Sequence, residues 1–163
     1  MAAIPATPIF MRDVLLTLKA SAEPTPLAFQ CHVSEARVQV TPGETVTVKT
    51  LCANGSFSSA GTPEYTLVLV GIQDYDTTAA SQGLSAYLWQ HEGETLDVEL
   101  NVYGEDAVAS ASTPSMKGQV TAIPGDYGGE IGAYAELNVE LPFLAKPALT
   151  LTVVMEEPTE EAA

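Results

Sequence analysis

Basic side chains are scarce: six Lys and Arg stand against 21 Asp and Glu, for a net charge of −15 with histidine neutral. Gripping nucleic acid through its phosphates takes clustered Lys and Arg, so this sequence is not built for that mode of binding. An acidic protein could still surround nucleic acid and repel it; the plainer reading is that the charge keeps the chain soluble. Histidine and cysteine are scarcer still, at His32, His91, Cys31 and Cys52. Their spacing does not match zinc-ligand patterns, so no metal or other cofactor is expected. No Gly-x-Ser-x-Gly elbow occurs, and no glycine-rich stretch ends in Gly-Lys-Ser or Gly-Lys-Thr, so the hydrolase elbow and the P-loop are both missing. No apolar run approaches the roughly 18 residues of a membrane span, and the longest, Tyr65 to Ile72, has strand length. Met1-Ala2-Ala3-Ile4-Pro5 has no basic region followed by an apolar core, so no signal peptide is expected. The cysteines then read as reduced thiols packed like small hydrophobes.

What is present is β patterning. Hydrophobic residues make up 46% of 163, enough for one core. Residues 1–11, with two prolines, read as an extended arm, followed by one β domain over 12–155 and an acidic tail over 156–163. Arg12 to Lys19 reads as a first strand, ended by the prolines of Ser21 to Pro26. Phe29 to Val40 and Glu44 to Leu51 read as a hairpin joined by Thr41-Pro42-Gly43. Ala53 to Pro63, rich in Gly and Ser, reads as a long functional loop. Tyr65 to Gln73 is apolar on both faces, as a central strand should be. Asp76, Thr77 and Thr78 offer N-caps and Gly93 a C-terminal stop for one helix. Its stripe is Ala80, Leu84, Tyr87, Leu88 and His91. Trp89 lies off that stripe, covering a sheet edge or facing a neighbouring subunit. Strands follow at Thr95 to Tyr103, Met116 to Ile123, Ala133 to Leu141 and Leu149 to Met155, with a flexible connection at Ala109 to Pro114 and a glycine-rich turn at Pro124 to Gly132. The expected fold is mainly β, a sandwich or barrel of about eight strands with one flanking helix.

Carboxylates are the one plentiful reactive group, and a pair could do acid–base work as in glycosidases. Asp97 and Glu99, and Glu136 and Glu140, instead fall on strand faces that would be solvated anyway. Gly125, Gly128, Gly129 and Gly132 do not open a helix and neighbour Asp126 and Glu130, so they read as a turn and not as a phosphate cradle. No enzyme is expected.

From Leu51 to Pro147 the chain resembles the major tail tube proteins of long-tailed bacteriophages. The residues carrying the resemblance are Gln73-Asp74, Gly83-Leu84, Tyr87-Leu88-Trp89 and Glu92-Gly93-Glu94-Thr95, then Gly118-Gln119-Val120-Thr121, Gly128-Gly129-Glu130-Ile131-Gly132, Leu141-Pro142-Phe143 and Lys146-Pro147, in that order. The resemblance implies a structural virion protein, assembled in the host cytoplasm, whose hexameric rings stack into a tube. DNA passes down the lumen without specific binding, and no membrane is involved. The implied partners are further copies of itself, a tape measure protein, and tail terminator and distal tail or baseplate proteins. On that reading Asp97, Glu99, Glu136 and Glu140 are candidate lumen acids, with at least one pair facing inward. Asn54, Ser56, Phe57, Ser58 and Ser59 become a candidate ring-stacking loop. A capsid decoration or receptor-binding β module is the alternative, since exposed loops could grip a partner without polymerising.

Overall fold

The alternating segments build two sheets that share one core. The computed structural model describes residues 2–78, 81–104 and 113–150. In chain order the elements are β1 (Leu15–Ala20), β2 (Leu27–Ala28), a 3-10 turn (Gln30–His32), β3 (Val33–Lys49), β4 (Ser56–Ile72), α1 (Leu84–Gln90), β5 (Thr95–Asn101), β6 (Met116–Thr121), β7 (Glu136–Pro142) and β8 (Ala148–Leu149). Sheet A has the order β2-β1-β5-β6-β8 and sheet B the order β3-β4-β7, with every pairing antiparallel. The mainly β sandwich with a single helix is therefore as the sequence predicts.

Period-two alternation does the sorting. Leu16 and Leu18 of β1, Leu96, Val98 and Leu100 of β5, and Leu137, Val139 and Leu141 of β7 all turn inward. They meet Leu67 and Leu69 of β4, the central strand of sheet B. Leu67→Ala should cost about 2–5 kcal/mol, the usual range for a fully enclosed leucine, measurable by urea unfolding. Beyond β7, Phe143 bridges Val120, and the Leu144 N–H donates to the Gln119 carbonyl at 3.0 Å. At the other end of β6, Met116 shares a cleft with Val38 of β3. Sheet B thus spans the length of β6, so the two sheets cross instead of running aligned.

The helix plugs one end of the sandwich. It is shorter than the sequence suggests: Asp76 does not cap it, and it starts after Gly83. The Asp76 carboxylate instead accepts from the Ser81 hydroxyl at 2.7 Å and the Thr78 N–H at 2.9 Å, a local turn that competes with helix. Those two bonds, Ser81's the larger, hold its carboxyl below the usual range. Leu84, Tyr87 and Leu88 are buried as the stripe predicts, while Ala80 lies outside the described residues. Gly93 does take a positive φ, 78°, past the helix end.

Tyr87 ties three elements together. Its hydroxyl accepts from the Ala20 N–H at 2.9 Å and donates to Glu23 Oε2 at 2.7 Å. Burial first, then the bond to Glu23, pushes the phenol up from its ordinary value near 10. A folded state that keeps this proton is favoured below pH ~10 and loses that advantage as pH rises, because the unfolded chain then ionises first. Tyr87→Phe should cost about 1–2 kcal/mol at neutral pH and flatten the loss of stability above pH ~10, read from melts across pH. The cost stays moderate because Glu23 Oε2 also accepts from the Ala20 N–H, at 3.1 Å.

Three further expectations are corrected. The hairpin does not turn at Thr41-Pro42-Gly43: β3 runs through it, and the turn is at Thr50–Gly55. Bulges between Thr41 and Gly43 and between Gly43 and Val46 absorb the break. Pro42 and Pro63 fall in that irregular stretch, where a missing N–H costs no ladder bond. Ala53 to Pro63 is not a loop, since Ser56 onward is strand β4. Both cysteines are exposed and free instead of packed. The last strand is described only as Ala148–Leu149; the rest of that segment, the acidic tail and most of the connection at 109–114 lie outside the described residues. No described helix is long and apolar enough to cross a membrane.

Candidate functional site

Among the described residues no three His, Cys, Asp or Glu side chains approach closely enough to hold a metal. Three surfaces stand out: a projecting hairpin, the outer faces of the two sheets, and a glycine-rich loop.

The hairpin is the outer part of β3 and β4. At its root Gly43 faces Gly61, and a Cβ on either would run into the opposite backbone. Beyond that crossing the ribbon leaves the sandwich, and nearly every residue from Gln39 to Glu64 is exposed. Its tip is tied by Thr50 N–H to the Gly55 carbonyl at 2.8 Å and Gly55 N–H to the Cys52 carbonyl at 3.0 Å. Asn54 sits there at φ 68°, a conformation asparagine tolerates. The register puts Val46 opposite Ser59, and Val48 opposite Phe57, on one face; Thr47 with Ser58, and Lys49 with Ser56, make the other. The second face is polar, with Thr47 and Ser58 hydroxyls 3.0 Å apart. The first is an apolar stripe in water: Val46, Val48 and Phe57 are 60%, 57% and 70% exposed. Of the predicted stacking residues, Asn54 is in the tip, Phe57 and Ser59 lie on the stripe, and Ser56 and Ser58 lie on the polar face. Val46, Val48 and Leu51 were missed. The valines stand in Thr45-Val46-Thr47-Val48, within a segment read as strand but paired with the wrong partner, and both of its faces are exposed.

The four candidate acids separate into two environments facing opposite ways. Asp97 and Glu99 lie on the outer face of sheet A, where each has partners. Gln119 Nε2 donates to Asp97 at 3.0 Å, Ser115 donates to Glu99 at 3.1 Å, and Lys117 Nζ stands 3.7 Å from Glu99. Lys19 is in register with Asp97, so two cations balance two carboxylates on this face. Glu136 and Glu140 lie on the outer face of sheet B beside Asn138, all exposed. Across that sheet Arg37 shares a row with Val68 and Glu140, and its guanidinium pairs with Glu35, two residues back along β3, at 2.8 Å. Three carboxylates share that face with one guanidinium, so this is the more acidic face.

The glycine-rich segment, 122–135, is pinned to the end of β4. Gln73 clasps Gly128 both ways, donating to its carbonyl at 2.8 Å and accepting from its N–H at 2.9 Å. Tyr75 donates to the Asp126 carbonyl at 3.1 Å, and its ring meets Tyr127 edge-on at 5.2 Å. Gly128 and Gly132 take φ of 99° and 91°, which favours glycine at both. Trp89 is half exposed on α1.

Known proteins bear on this geometry through structure alone. No protein family matches the sequence, and no curated protein matches it. Among solved structures, a chain in the six-fold symmetrised anti-feeding prophage baseplate aligns with a TM-score of 0.58 at 11% identity, covering 90% of this chain and 98% of that one. A chain in the tail of an empty gene transfer agent particle, refined with helical C6 symmetry, gives 0.51 at 16% identity, covering 86% and 96%. One in the native gene transfer agent virion gives 0.50 at 14%, covering 85% and 95%. At such identities the likeness speaks for the fold, and this chain has the fold of chains found in those tail and baseplate particles.

Proposed function

We propose that this protein is a structural subunit of a phage-type tail, and that its copies close into hexameric rings that stack into a tube for genome delivery. The observation that carries the reading is sheet B. Its two outer strands, β3 and β7, each have one partner among the described strands, whereas sheet A ends in the two-residue strands β2 and β8. Long free edges are liabilities in a monomer and interfaces in an assembly. Since β3 and β7 both run antiparallel to β4, they run the same way. Adding β7 of one copy to β3 of the next is a head-to-tail contact, the kind that closes into rings. Rotation about the ring axis preserves strand direction, so each seam is parallel. Six copies supply roughly eighteen strands, which at about 4.8 Å spacing and 40° tilt enclose a ring on the order of 35 Å across.

The reading favours one of the acid pairs for the bore. Sheet A and the helix lie on one side of sheet B, so the bore is lined by the other side, with Glu136 and Glu140. Asp97 and Glu99 then lie on the outside. An acidic bore repels the DNA backbone and favours sliding over binding. The subunit acts by assembling and needs no catalytic group. The six-fold particles that share the fold support the same symmetry. Sedimentation velocity on the purified chain is expected to show species in multiples of six that grow with concentration. A single monomeric boundary at all concentrations, with tail partners added, contradicts the proposal.

A further inference from the structure

The backbone fixes which groups sheet B turns to its two edges. The Phe143 N–H donates to the Tyr65 carbonyl at 3.0 Å, and the Gln73 N–H donates to the Ala135 carbonyl at 2.9 Å. Alternate residues of an antiparallel strand bond to the same neighbour, so Leu137, Val139 and Leu141 bond to β4. Glu136, Asn138 and Glu140 then turn their N–H and C=O groups to the outer edge. By the same alternation Val68 and Val70 bond to Arg37 and Glu35, and Ala36 and Val38 turn theirs to the outer edge of β3. In a parallel ladder each residue that bonds across sits opposite one that does not. Arg37 of one copy can therefore face only Glu136, Asn138 or Glu140 of the next. Glu35 takes the Nε edge of Arg37 at 2.8 Å, which leaves the Nη groups for another acceptor. On β7 neither Glu136 nor Glu140 forms an ion pair among the described residues.

Ring closure selects among those registers. Strands about 4.8 Å apart and tilted by about 40° stagger each three-stranded copy against the next by roughly 12 Å, or about four residues. Chirality gives the direction. Seen from the core with β7 pointing up, β4 lies to its right, because an L-residue whose side chain faces the viewer directs its N–H and C=O to the right. Strands coil right-handed in a closed sheet, so a row crossing them meets the next copy's β7 nearer its N-terminal end. The row Glu140, Val68, Arg37 thus continues into Glu136 of the next copy. The other registers carry penalties. With Asn138 opposite Arg37, Glu136 would face Glu35, a like charge. With Glu140 there, Pro142, which has no N–H, would fall opposite Gln39 within the ladder. With Glu136 there, Pro142 falls opposite Gly43, where β3 already bulges. We infer that Arg37 of one copy pairs with Glu136 of the next across the ring seam and fixes the register in which rings close. The inference rests on the ring reading and names the residues that align its seam. The net charge of the face is unchanged, so the bore stays acidic.

Charge reversal on the full chain, followed by sedimentation velocity, tests it. Arg37→Glu and Glu136→Arg are both at exposed positions, so melting of the free subunit should move little. Each alone should raise the concentration at which six-fold species appear by about fivefold, as expected for an exposed ion pair turned repulsive. Rings still close at higher concentration, since the strand ladder across the seam is untouched. At about 1 M salt the single variants should approach the unsubstituted chain, because screening then acts within about 3 Å. The double variant Arg37→Glu with Glu136→Arg should recover the original concentration to within about twofold, whereas Arg37→Glu with Glu140→Arg should not. If rings form but the Glu136 double variant gives no rescue, or Glu140 rescues in its place, the pairing is wrong while the ring reading stands. An unsubstituted chain that never forms six-fold species overturns the ring reading and this pairing with it.

Discussion

Excising Val46–Ser59 and closing the ribbon with an Asn-Gly turn is expected to leave a folded subunit that no longer builds long assemblies. The core draws on Ala36 and Val38 of β3 and on Leu67 and Leu69 of β4, all on the sandwich side of the Gly43–Gly61 crossing. The removed residues are exposed apart from half-buried Gly55, so the melting temperature should move by only a few degrees. Asn-Gly suits a two-residue hairpin turn and preserves pairing below the cut. Pelletable material should drop by at least an order of magnitude, because the stripe of Val46, Val48 and Phe57 is lost whole. Phe57→Ser alone should give a smaller loss in the same direction. An armless chain that polymerises like the full one would remove the hairpin from the stacking mechanism. Cutting both strands is essential: deleting Ser56–Gly61 alone would strip half a ladder, because those residues are strand and not loop.

Reversing charge on the two faces should have unequal effects on DNA passage. Glu136→Lys with Glu140→Lys turns a repelling wall into an attracting one, and ejection from reconstituted particles should slow by roughly tenfold at low salt. The effect should shrink at physiological ionic strength, where charges are screened beyond about 8 Å. Asp97→Lys with Glu99→Lys should leave ejection near normal. That pair loses contacts with Gln119, Ser115 and Lys117 and sets two new cations beside Lys19 and Lys117, so it should lower the melting temperature while leaving the charge of the bore unchanged. Equal slowing by both pairs, or none by the first at any salt, would defeat the assignment of sheet B to the bore.

Where the sequence alternated, it was legible. Leu96, Val98 and Leu100 against Thr95 and Asp97, and Leu137, Val139 and Leu141 against Glu136 and Glu140, gave faces that the structure keeps. The hairpin was misread for an identifiable reason. Pro42-Gly43 is a strong turn signal, but a bulge in an edge strand satisfies the same chemistry, and only the distant partner strand decides between them. Likewise Ser-Phe-Ser-Ser-Ala-Gly has the composition of a loop. It becomes strand because Val46 and Val48 stand opposite it, a pairing set by tertiary context and not by local propensity. The acids were correctly placed on solvated faces. That the pairs face opposite ways depends on sheet membership, which alternation within one strand does not reveal. The helix start failed because Asp76 found closer partners in Thr78 and Ser81.

The most direct test of the central claim is cryo-electron microscopy of the purified chain at high concentration. Hollow tubes of six-fold rings are expected, with sheet B continuous across subunits, Glu136 and Glu140 on the bore, and the hairpin reaching the next ring. Particles that stay compact and monomeric, or tubes whose bore is lined by Asp97 and Glu99 of sheet A, would contradict it.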